Sequence, residues 1–184
     1  MNLNKIKRTH LKQGFVQVYT GNGKGKTTAA IGLTMRALGA GLQVYFVQFM
    51  KNFPYSELSI LQSFHPQLQL KRYGNDAFVF KKQPPSDELI VQMKEGLNEA
   101  LQAMLSQKFD MIVLDEVLVS IYFKIFTTDE ILQFIRQRPP KVELILTGRY
   151  CPEEIIELAD LVTEMKEIKH YYQQGVLARK GIES

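Results

Sequence analysis

A glycine-dense loop between a strand-like run and a helix-like run constrains this 184-residue chain more than any other feature. Residues 20–28 read Thr-Gly-Asn-Gly-Lys-Gly-Lys-Thr-Thr, after an apolar run over 15–19 and before a helical pattern over 29–38. Glycines let backbone N–H groups converge on a phosphate, and the following helix adds the positive end of its dipole. Lys26 can reach a phosphate, and the Thr27 hydroxyl can bind Mg²⁺. The loop therefore predicts binding of a nucleoside triphosphate.

The loop departs from the usual phosphate-loop pattern at its first position. With the Gly-Lys pair at 25 and 26, the pattern requires a glycine at position 20, where this chain has Thr20. We therefore expect its path round the phosphates to differ from that in ordinary ATPases. The alternative is a turn without chemical role, but strand, loop, Gly-Lys-Thr and helix occur in the order that phosphate binding requires. The candidate ATP-binding residues of the loop are Gly21, Asn22, Gly23, Lys24, Gly25, Lys26, Thr27 and Thr28.

Strand-like and helix-like segments alternate along the chain. Six apolar runs indicate strands at residues 15–20, 43–49, 68–73, 111–115, 142–147 and 161–165. Helical patterns cover 86–105 and 128–137, and another helix begins near Pro152, whereas residues 50–85 are less regular. The pattern predicts an α/β fold like that of phosphate-loop NTPases, with a doubly wound, mainly parallel sheet of about six strands and helices on both faces. The runs at 111–115 and 142–147 are nearly continuously apolar, which is typical of central strands.

Size and composition set further limits. A chain of 184 residues with 45% hydrophobic content suits one buried core, so we predict a single domain over residues 1–184. One cysteine excludes an internal disulfide, and three scattered histidines form no zinc-type cluster. The apolar runs are too short to span a membrane, and no secretion signal follows the basic start. We expect a soluble, cytoplasmic protein with no membrane partner.

Charge is distributed unevenly. The formal net charge is +4, and no Asp or Glu precedes Glu57. A positive field near the loop would attract polyanions such as ATP. No dense run of Lys and Arg alternates with aromatic residues, so nucleic-acid binding is not expected.

Two carboxylates end the fourth strand-like run. In phosphate-loop enzymes such a strand brings a metal-binding acid to the carboxyl edge of the sheet, so Asp115 and Glu116 are candidate Mg²⁺ ligands beside Thr27. Glu116 would activate water in an ATPase, and in a transferase it would help to hold Mg²⁺ or the second substrate. Acids also occur at strand ends for solubility alone.

Arg149 follows the next apolar run, within Thr147-Gly148-Arg149, and is expected at the same edge as Asp115. An arginine there can stabilise phosphate charge by a bidentate contact, so Arg149 is a candidate ATP-binding residue. A surface arginine that happens to follow a strand is the alternative that the spacing allows.

Five motifs occur in order: residues 20–30, Val47-Gln48-Phe49, Val113-Leu114-Asp115-Glu116, Thr147-Gly148-Arg149, and Lys169-His170 with Gly175, Ala178 and Gly181-Ile182-Glu183. This ordered set resembles the ATP:corrinoid adenosyltransferases of the cobalamin pathway. The resemblance covers residues 14–183, and its specificity comes from the set, because phosphate loops occur in many unrelated enzymes. Members of that family transfer the 5′-deoxyadenosyl group of ATP to the cobalt of a corrinoid and release triphosphate.

The resemblance implies a role for the unusual loop. Family members bind ATP in the reverse sense to ordinary phosphate-loop enzymes, so that C5′ faces the nucleophile. The loop would then hold triphosphate as a leaving group, with Lys26 neutralising its charge and Thr27 and Glu116 binding Mg²⁺. Asp115 would contact these ligands rather than Mg²⁺ itself. Cobalt(I) is itself a strong nucleophile, so alignment and leaving-group stabilisation are what the protein supplies.

The resemblance also implies an aromatic contact with the corrinoid. Family members pack aromatic side chains beneath the corrin ring, which removes the lower axial ligand and eases reduction of cobalt(II). The matching residues here are Phe78 and Phe80. Related sequences have Trp at the position of Phe80, and this chain has no Trp. Alternation along a strand would equally place both phenylalanines in the core.

Partners and rival functions complete the expectations. The resemblance implies a homodimer and a flavodoxin-type electron donor, and it matches residues 2–13 to a segment that covers the corrinoid site, with terminal disorder as the alternative. His170 belongs to the family signature without an assigned catalytic role.

A phosphate-loop ATPase or kinase is one rival function, which orthophosphate or ADP as the main product would identify. A nucleotide-dependent binding module is the other, which salt-sensitive nucleic-acid binding without corrinoid turnover would favour.

Overall fold

A computed structural model describes residues 7–51, 53–75, 77–78 and 83–183. The strands are β1 (Val16–Thr20), β2 (Val44–Phe49), β3 (Leu68–Tyr73), β4 (Met111–Asp115), β5 (Glu143–Thr147) and β6 (Leu161–Glu164). The α-helices are α1 (Lys26–Gly39), α2 (Glu57–Gln62), α3 (Asp87–Leu105), α4 (Val117–Tyr122), α5 (Thr128–Arg136) and α6 (Glu153–Leu158). A 3₁₀ helix spans Tyr171–Gln174.

The six strands form one parallel sheet in the order β3-β2-β4-β5-β1-β6. Each predicted strand is confirmed to within one residue at either end. The two strands predicted to be central, β4 and β5, lie in the middle of the sheet. Every residue of β4 is buried, because helices cover both faces there.

Side chains that alternate along each strand build two separate cores. On one face, α1 and α2 cover a cluster that includes Phe46, Val113 and Ile145. On the other face, α3, α4, α5 and α6 cover a cluster that includes Val47 and Leu114. Because successive residues of a strand point to opposite faces, adjacent residues of β4 enter different cores. The doubly wound α/β fold is thus confirmed.

The helices begin where local sequence favours a start. Ser86 caps α3 by accepting a hydrogen bond from the Leu89 amide at 3.3 Å. Thr127 and Glu130 form a reciprocal capping box at the start of α5. Pro152 immediately precedes the first residue of α6, close to its predicted position.

Two α-helices in the described part of the chain were not predicted. The first, α2, lies within the stretch that the sequence pattern left irregular. The second, α4, has the sequence Val-Leu-Val-Ser-Ile-Tyr, whose β-branched residues favour a strand locally. It forms a helix because Glu116 adopts a left-handed conformation (φ 63°) that ends β4, and because Val117, Leu118 and Ser120 become buried in the turn that follows.

No helix in the described part of the chain combines the length and the apolar character needed to cross a membrane.

Candidate functional site

The glycine-dense loop leaves the carboxyl end of β1 and leads into α1. Thr20, which stands where the usual pattern has glycine, is the last residue of β1 and pairs with Glu164 of β6. The loop proper therefore begins at Gly21, whose φ is 94°. A Cβ at Gly21 or Gly23 would lie 2.6 Å from the Met165 carbonyl oxygen, so both positions require glycine. The backbone that follows β6 therefore lies so close to the loop that neither position has room for a side chain.

Lys26 is the first residue of α1, and its side chain turns back into the loop. Its Nζ donates hydrogen bonds of 2.8 Å to the carbonyl oxygens of Gly21 and Gly23. The residue is only 7% exposed. Burial lowers the pKa of Lys26, and the charge of Arg149 adds to this, while Glu116 and Asp115 oppose it. The first turn of α1 contains no acidic residue, so its positive end faces the loop without a competing side-chain anion.

Asp115 lies directly behind the loop, at the carboxyl end of β4. Its side chain is on the same face of the sheet as α1, because it follows the alternation set by Met111 and Val113. The Thr27 hydroxyl donates to Oδ1 at 2.9 Å, and Thr147 donates to the same oxygen at 2.7 Å. Asp115 is fully buried and does not line the cavity in front of the loop.

Two further donors bind the other carboxylate oxygen. Lys51 Nζ lies 2.7 Å from Asp115 Oδ2, and the Gln48 side-chain amide donates to it at 3.2 Å. The Gln48 side-chain oxygen is buried and has no hydrogen-bond partner among the residues that the structure describes. Burial opposes protonation of Lys51, but the carboxylates of Asp115 and Glu116 outweigh it and raise the Lys51 pKa.

Glu116 stands between Asp115 and α4 in its left-handed conformation. The Glu116 amide donates to the Thr147 hydroxyl at 3.0 Å, so one threonine holds both acids in place. Burial raises the pKa of the Glu116 carboxyl, and the neighbouring charge of Asp115 raises it further, against the opposing effect of Lys51 and Lys26. Unlike Asp115, Glu116 lines the cavity.

A cavity of about 680 Å³ opens in front of the loop. It is lined by loop residues 22–28, Glu116, Arg149 and Lys51, and the predicted loop, acid and arginine therefore meet at one place. Gly21 and Asp115 lie behind this surface rather than on it. The cavity volume suits a small-molecule ligand with several phosphates.

Residues near the C-terminus close one side of the cavity. His170, Ile182 and Glu183 line it, and Lys24 Nζ donates to the Ile182 carbonyl oxygen at 3.2 Å. Glu183 is held by Arg179 and by the Tyr171 hydroxyl, and these two contacts lower its pKa to about 2. His170 Nδ1 accepts a hydrogen bond from the Tyr172 amide at 3.0 Å, which gives it a structural partner.

Phe78, one of the two predicted aromatic contacts with the corrinoid, does not line this cavity. Phe78 is 7% exposed and packs edge-on against Phe123, with ring centroids 5.2 Å apart, in the core under α3. This packing matches the core alternative for Phe78. Phe80 lies outside the described residues. A corrinoid role for either phenylalanine stays a prediction.

The described part of the basic N-terminal segment binds at the amino ends of the strands. Arg8 and His10 both contact Asp110, which precedes β4, and Thr9 N donates to the Gly41 carbonyl oxygen at 3.2 Å. Gly14 N donates to Pro140, which precedes β5. Residues 7–14 therefore lie at the amino ends of the strands, opposite the phosphate loop of the same chain. Residues 1–6 lie outside the described part, and cover of a corrinoid site by this segment stays a prediction.

Sequence reasoning missed Lys51, Gln48 and Thr147 as parts of the site. Their positions at the ends of predicted strands were the available signal. Gln48 pairs in register with Asp115, and Lys51 follows the end of β2 at the same edge of the sheet. Thr147 ends β5, on the other side of β4. Because carboxyl ends of neighbouring parallel strands meet, these positions surround Asp115 once β2, β4 and β5 are known to be adjacent.

The fold and the loop define the class first: this is a phosphate-loop nucleotide-binding protein, with its acids at the carboxyl end of β4, two strands away from β1 in the sheet. Sequence comparison then defines the family. The chain belongs to the family described as ATP:corrinoid adenosyltransferase BtuR/CobO/CobP, which matches residues 12–184. The resemblance inferred from the motifs is confirmed, and the chain is an enzyme of corrinoid adenosyl transfer.

Named relatives match nearly the whole chain. A corrinoid adenosyltransferase of Escherichia coli (strain K12) is 33% identical over 180 residues, covering 97% of this chain and 90% of that protein. The corrinoid adenosyltransferase CobA of Salmonella typhimurium is 32% identical, with coverage of 97% and 90%. A corrinoid adenosyltransferase of Pseudomonas aeruginosa is 32% identical, with coverage of 97% and 88%.

Proposed function

We propose that this protein transfers the 5′-deoxyadenosyl group of ATP to the cobalt(I) of a corrinoid, either cob(I)alamin or cob(I)yrinic acid a,c-diamide, and releases triphosphate. The reaction would serve adenosylcobalamin biosynthesis or salvage. One observation carries the proposal: in a chain of this family, the phosphate loop, Glu116 and Arg149 line a single cavity.

In the proposed reaction the chain binds and aligns rather than supplying a nucleophile. The electron pair of cobalt(I) forms the carbon–cobalt bond at C5′, and the C5′–O bond breaks with its electron pair passing to the triphosphate oxygen. Loop amides and the positive end of α1 would bind the phosphates. Lys26 and Arg149 would offset the negative charge that grows on the leaving group. Lys26 would first release the Gly21 and Gly23 carbonyl oxygens that it now contacts.

Mg²⁺ fits the residues beside the loop. Thr27 supplies a hydroxyl oxygen and Glu116 a carboxylate, which are the oxygen ligands that Mg²⁺ prefers. Asp115 would orient Thr27 through their 2.9 Å hydrogen bond. The described residues include no cluster of three His, Cys, Asp or Glu suited to a metal. With these two protein ligands, Mg²⁺ would be held mainly by the substrate phosphates, and it would neutralise part of their charge.

The remaining parts of the proposal come from the family resemblance. We propose that the enzyme works in the cytoplasm as a homodimer. A flavodoxin-type electron donor would reduce the cobalt of the corrinoid to cobalt(I). Phe78 and Phe80 are the proposed aromatic contacts beneath the corrin ring.

The decisive experiment incubates the protein with ATP, Mg²⁺ and chemically reduced cobalamin. A light-sensitive carbon–cobalt product together with intact triphosphate is the expected result. If orthophosphate or ADP is the main phosphate product and the corrinoid is unchanged, the protein is an ATPase or kinase and the proposal is wrong. A parallel reaction without the protein controls for non-enzymatic alkylation.

A further inference from the structure

Lys51 lies beside the two oxygens near which a phosphate-loop enzyme holds Mg²⁺. Its Nζ is 2.8 Å from Thr27 Oγ1 and 2.7 Å from Asp115 Oδ2. The Lys51 side chain is 13% exposed, and that of Asp115 is fully buried. One ammonium group therefore bridges the proposed metal-binding hydroxyl and the carboxylate that orients it.

Asp115 has no free acceptor position in this arrangement. A carboxylate offers about four lone-pair positions, and here four donors use them: Thr27, Thr147, Gln48 and Lys51. Gln48 and Thr147 are fixed on buried strands, and Thr27 is fixed in the first turn of α1. Lys51, in contrast, has a flexible four-carbon stem and lines the cavity. It is the donor best able to leave.

We propose that Lys51 is a built-in counter-cation of Asp115 that Mg²⁺ displaces, and that the displaced ammonium group then binds the triphosphate. The proposal rests on the proposed function, because it assumes that Mg²⁺ arrives with ATP. Without nucleotide, Lys51 neutralises Asp115 and occupies an acceptor position of the Thr27 oxygen. A second cation at Thr27 would repel it, and the phosphates in the cavity would offer it a new partner.

This exchange would couple metal binding to nucleotide binding. Separating Lys51 from Asp115 costs free energy, because it breaks a buried ion pair. Metal alone gives the displaced ammonium no new anion, whereas the triphosphate does. Metal and nucleotide should therefore each bind more tightly in the presence of the other. Lys51 would act as a positioning residue that keeps free metal out of the nucleotide-free site.

The test titrates the nucleotide-free protein with Mn²⁺, a paramagnetic substitute for Mg²⁺, and measures free Mn²⁺ by electron paramagnetic resonance. Lys51→Met leaves Asp115 buried and unpaired, so we expect it to bind Mn²⁺ about ten- to a hundredfold more tightly than the unmodified protein. Lys51→Gln keeps a donor without the charge and should lie between them. Lys141→Met removes an exposed charge at the opposite edge of the sheet and should change nothing.

Two results would overturn the proposal: Mn²⁺ affinity that is unchanged in both Lys51 variants, or affinity that falls. Thermal unfolding supplies a second readout, because Mn²⁺ without nucleotide should raise the Tm of Lys51→Met but not that of the unmodified protein. The titration contains no corrinoid, so it decides the Lys51 proposal whatever the transfer assay shows. Failure of adenosyl transfer in the unmodified protein would instead count against the proposed function.

Discussion

Thr147→Val tests whether one buried hydroxyl fixes the acidic part of the site. Thr147 is fully buried, donates to Asp115 Oδ1 at 2.7 Å and accepts from the Glu116 amide at 3.0 Å. Valine has nearly the same shape but can do neither. The variant therefore removes two hydrogen bonds while it leaves the packing at the end of β5 almost intact.

The expected loss of stability follows from these two contacts. The hydrogen bond to a carboxylate contributes about 1.5–3 kcal/mol, and a buried N–H without an acceptor costs about 1–3 kcal/mol. The added methyl group returns up to about 0.8 kcal/mol, which leaves a net loss of roughly 3 kcal/mol. Thr147→Ser keeps the hydroxyl and loses one methyl, so it should cost only about 1 kcal/mol.

Urea unfolding followed by circular dichroism measures both variants. With a slope near 3 kcal/mol per molar, Thr147→Val should unfold at about 1 M less urea than the unmodified protein, and Thr147→Ser at about 0.3 M less. Adenosyl transfer should fall about tenfold or more in the valine variant alone, because Glu116 loses its support. If the valine variant is as stable as the serine variant, the hydroxyl does not hold the two acids and this reasoning is refuted.

Three further predictions concern Lys26, Glu116 and Phe80. Lys26→Ala should lower the rate of adenosyl transfer about 10²- to 10³-fold, because the leaving triphosphate loses a cation; near-normal turnover in a steady-state assay would remove Lys26 from that role. Burial first, and then Asp115, raise the pKa of Glu116 in the folded protein, so the native state loses stability as pH rises above the ordinary value of 4.5. Glu116→Gln abolishes this loss, so the urea midpoint of the variant should rise relative to that of the unmodified protein as pH increases above 4.5; a difference that stays constant with pH would contradict the raised pKa. Phe80→Ala should slow conversion that starts from cobalt(II) and spare conversion of prereduced cobalt(I), as followed by the absorbance of the corrinoid; equal losses would indicate damaged packing instead.

The sheet and most of its helices could be predicted because their signals are local. Runs of five to seven residues marked every strand, and the helical pattern over 86–105 began at Ser86, the residue that caps α3. Helix α4 was missed because local sequence signals do not determine it. Its valines favour a strand, and what makes them helical is the left-handed turn at Glu116 together with burial against β5, neither of which is visible in the local sequence.

The sequence by itself determined that a phosphate-binding loop follows the first strand, that acids end another strand, and that the chain belongs with corrinoid adenosyltransferases. Each of these depends on residues close together along the chain or on an ordered set of motifs. Tertiary structure decided the rest: which strands are neighbours, and hence that Lys51, Gln48 and Thr147 surround Asp115. It also buried Phe78 against Phe123 and bound residues 7–14 away from the loop. The physical reason is that a short hydrogen bond depends on distances across the sheet, which the order β2-β4-β5 sets and local sequence does not.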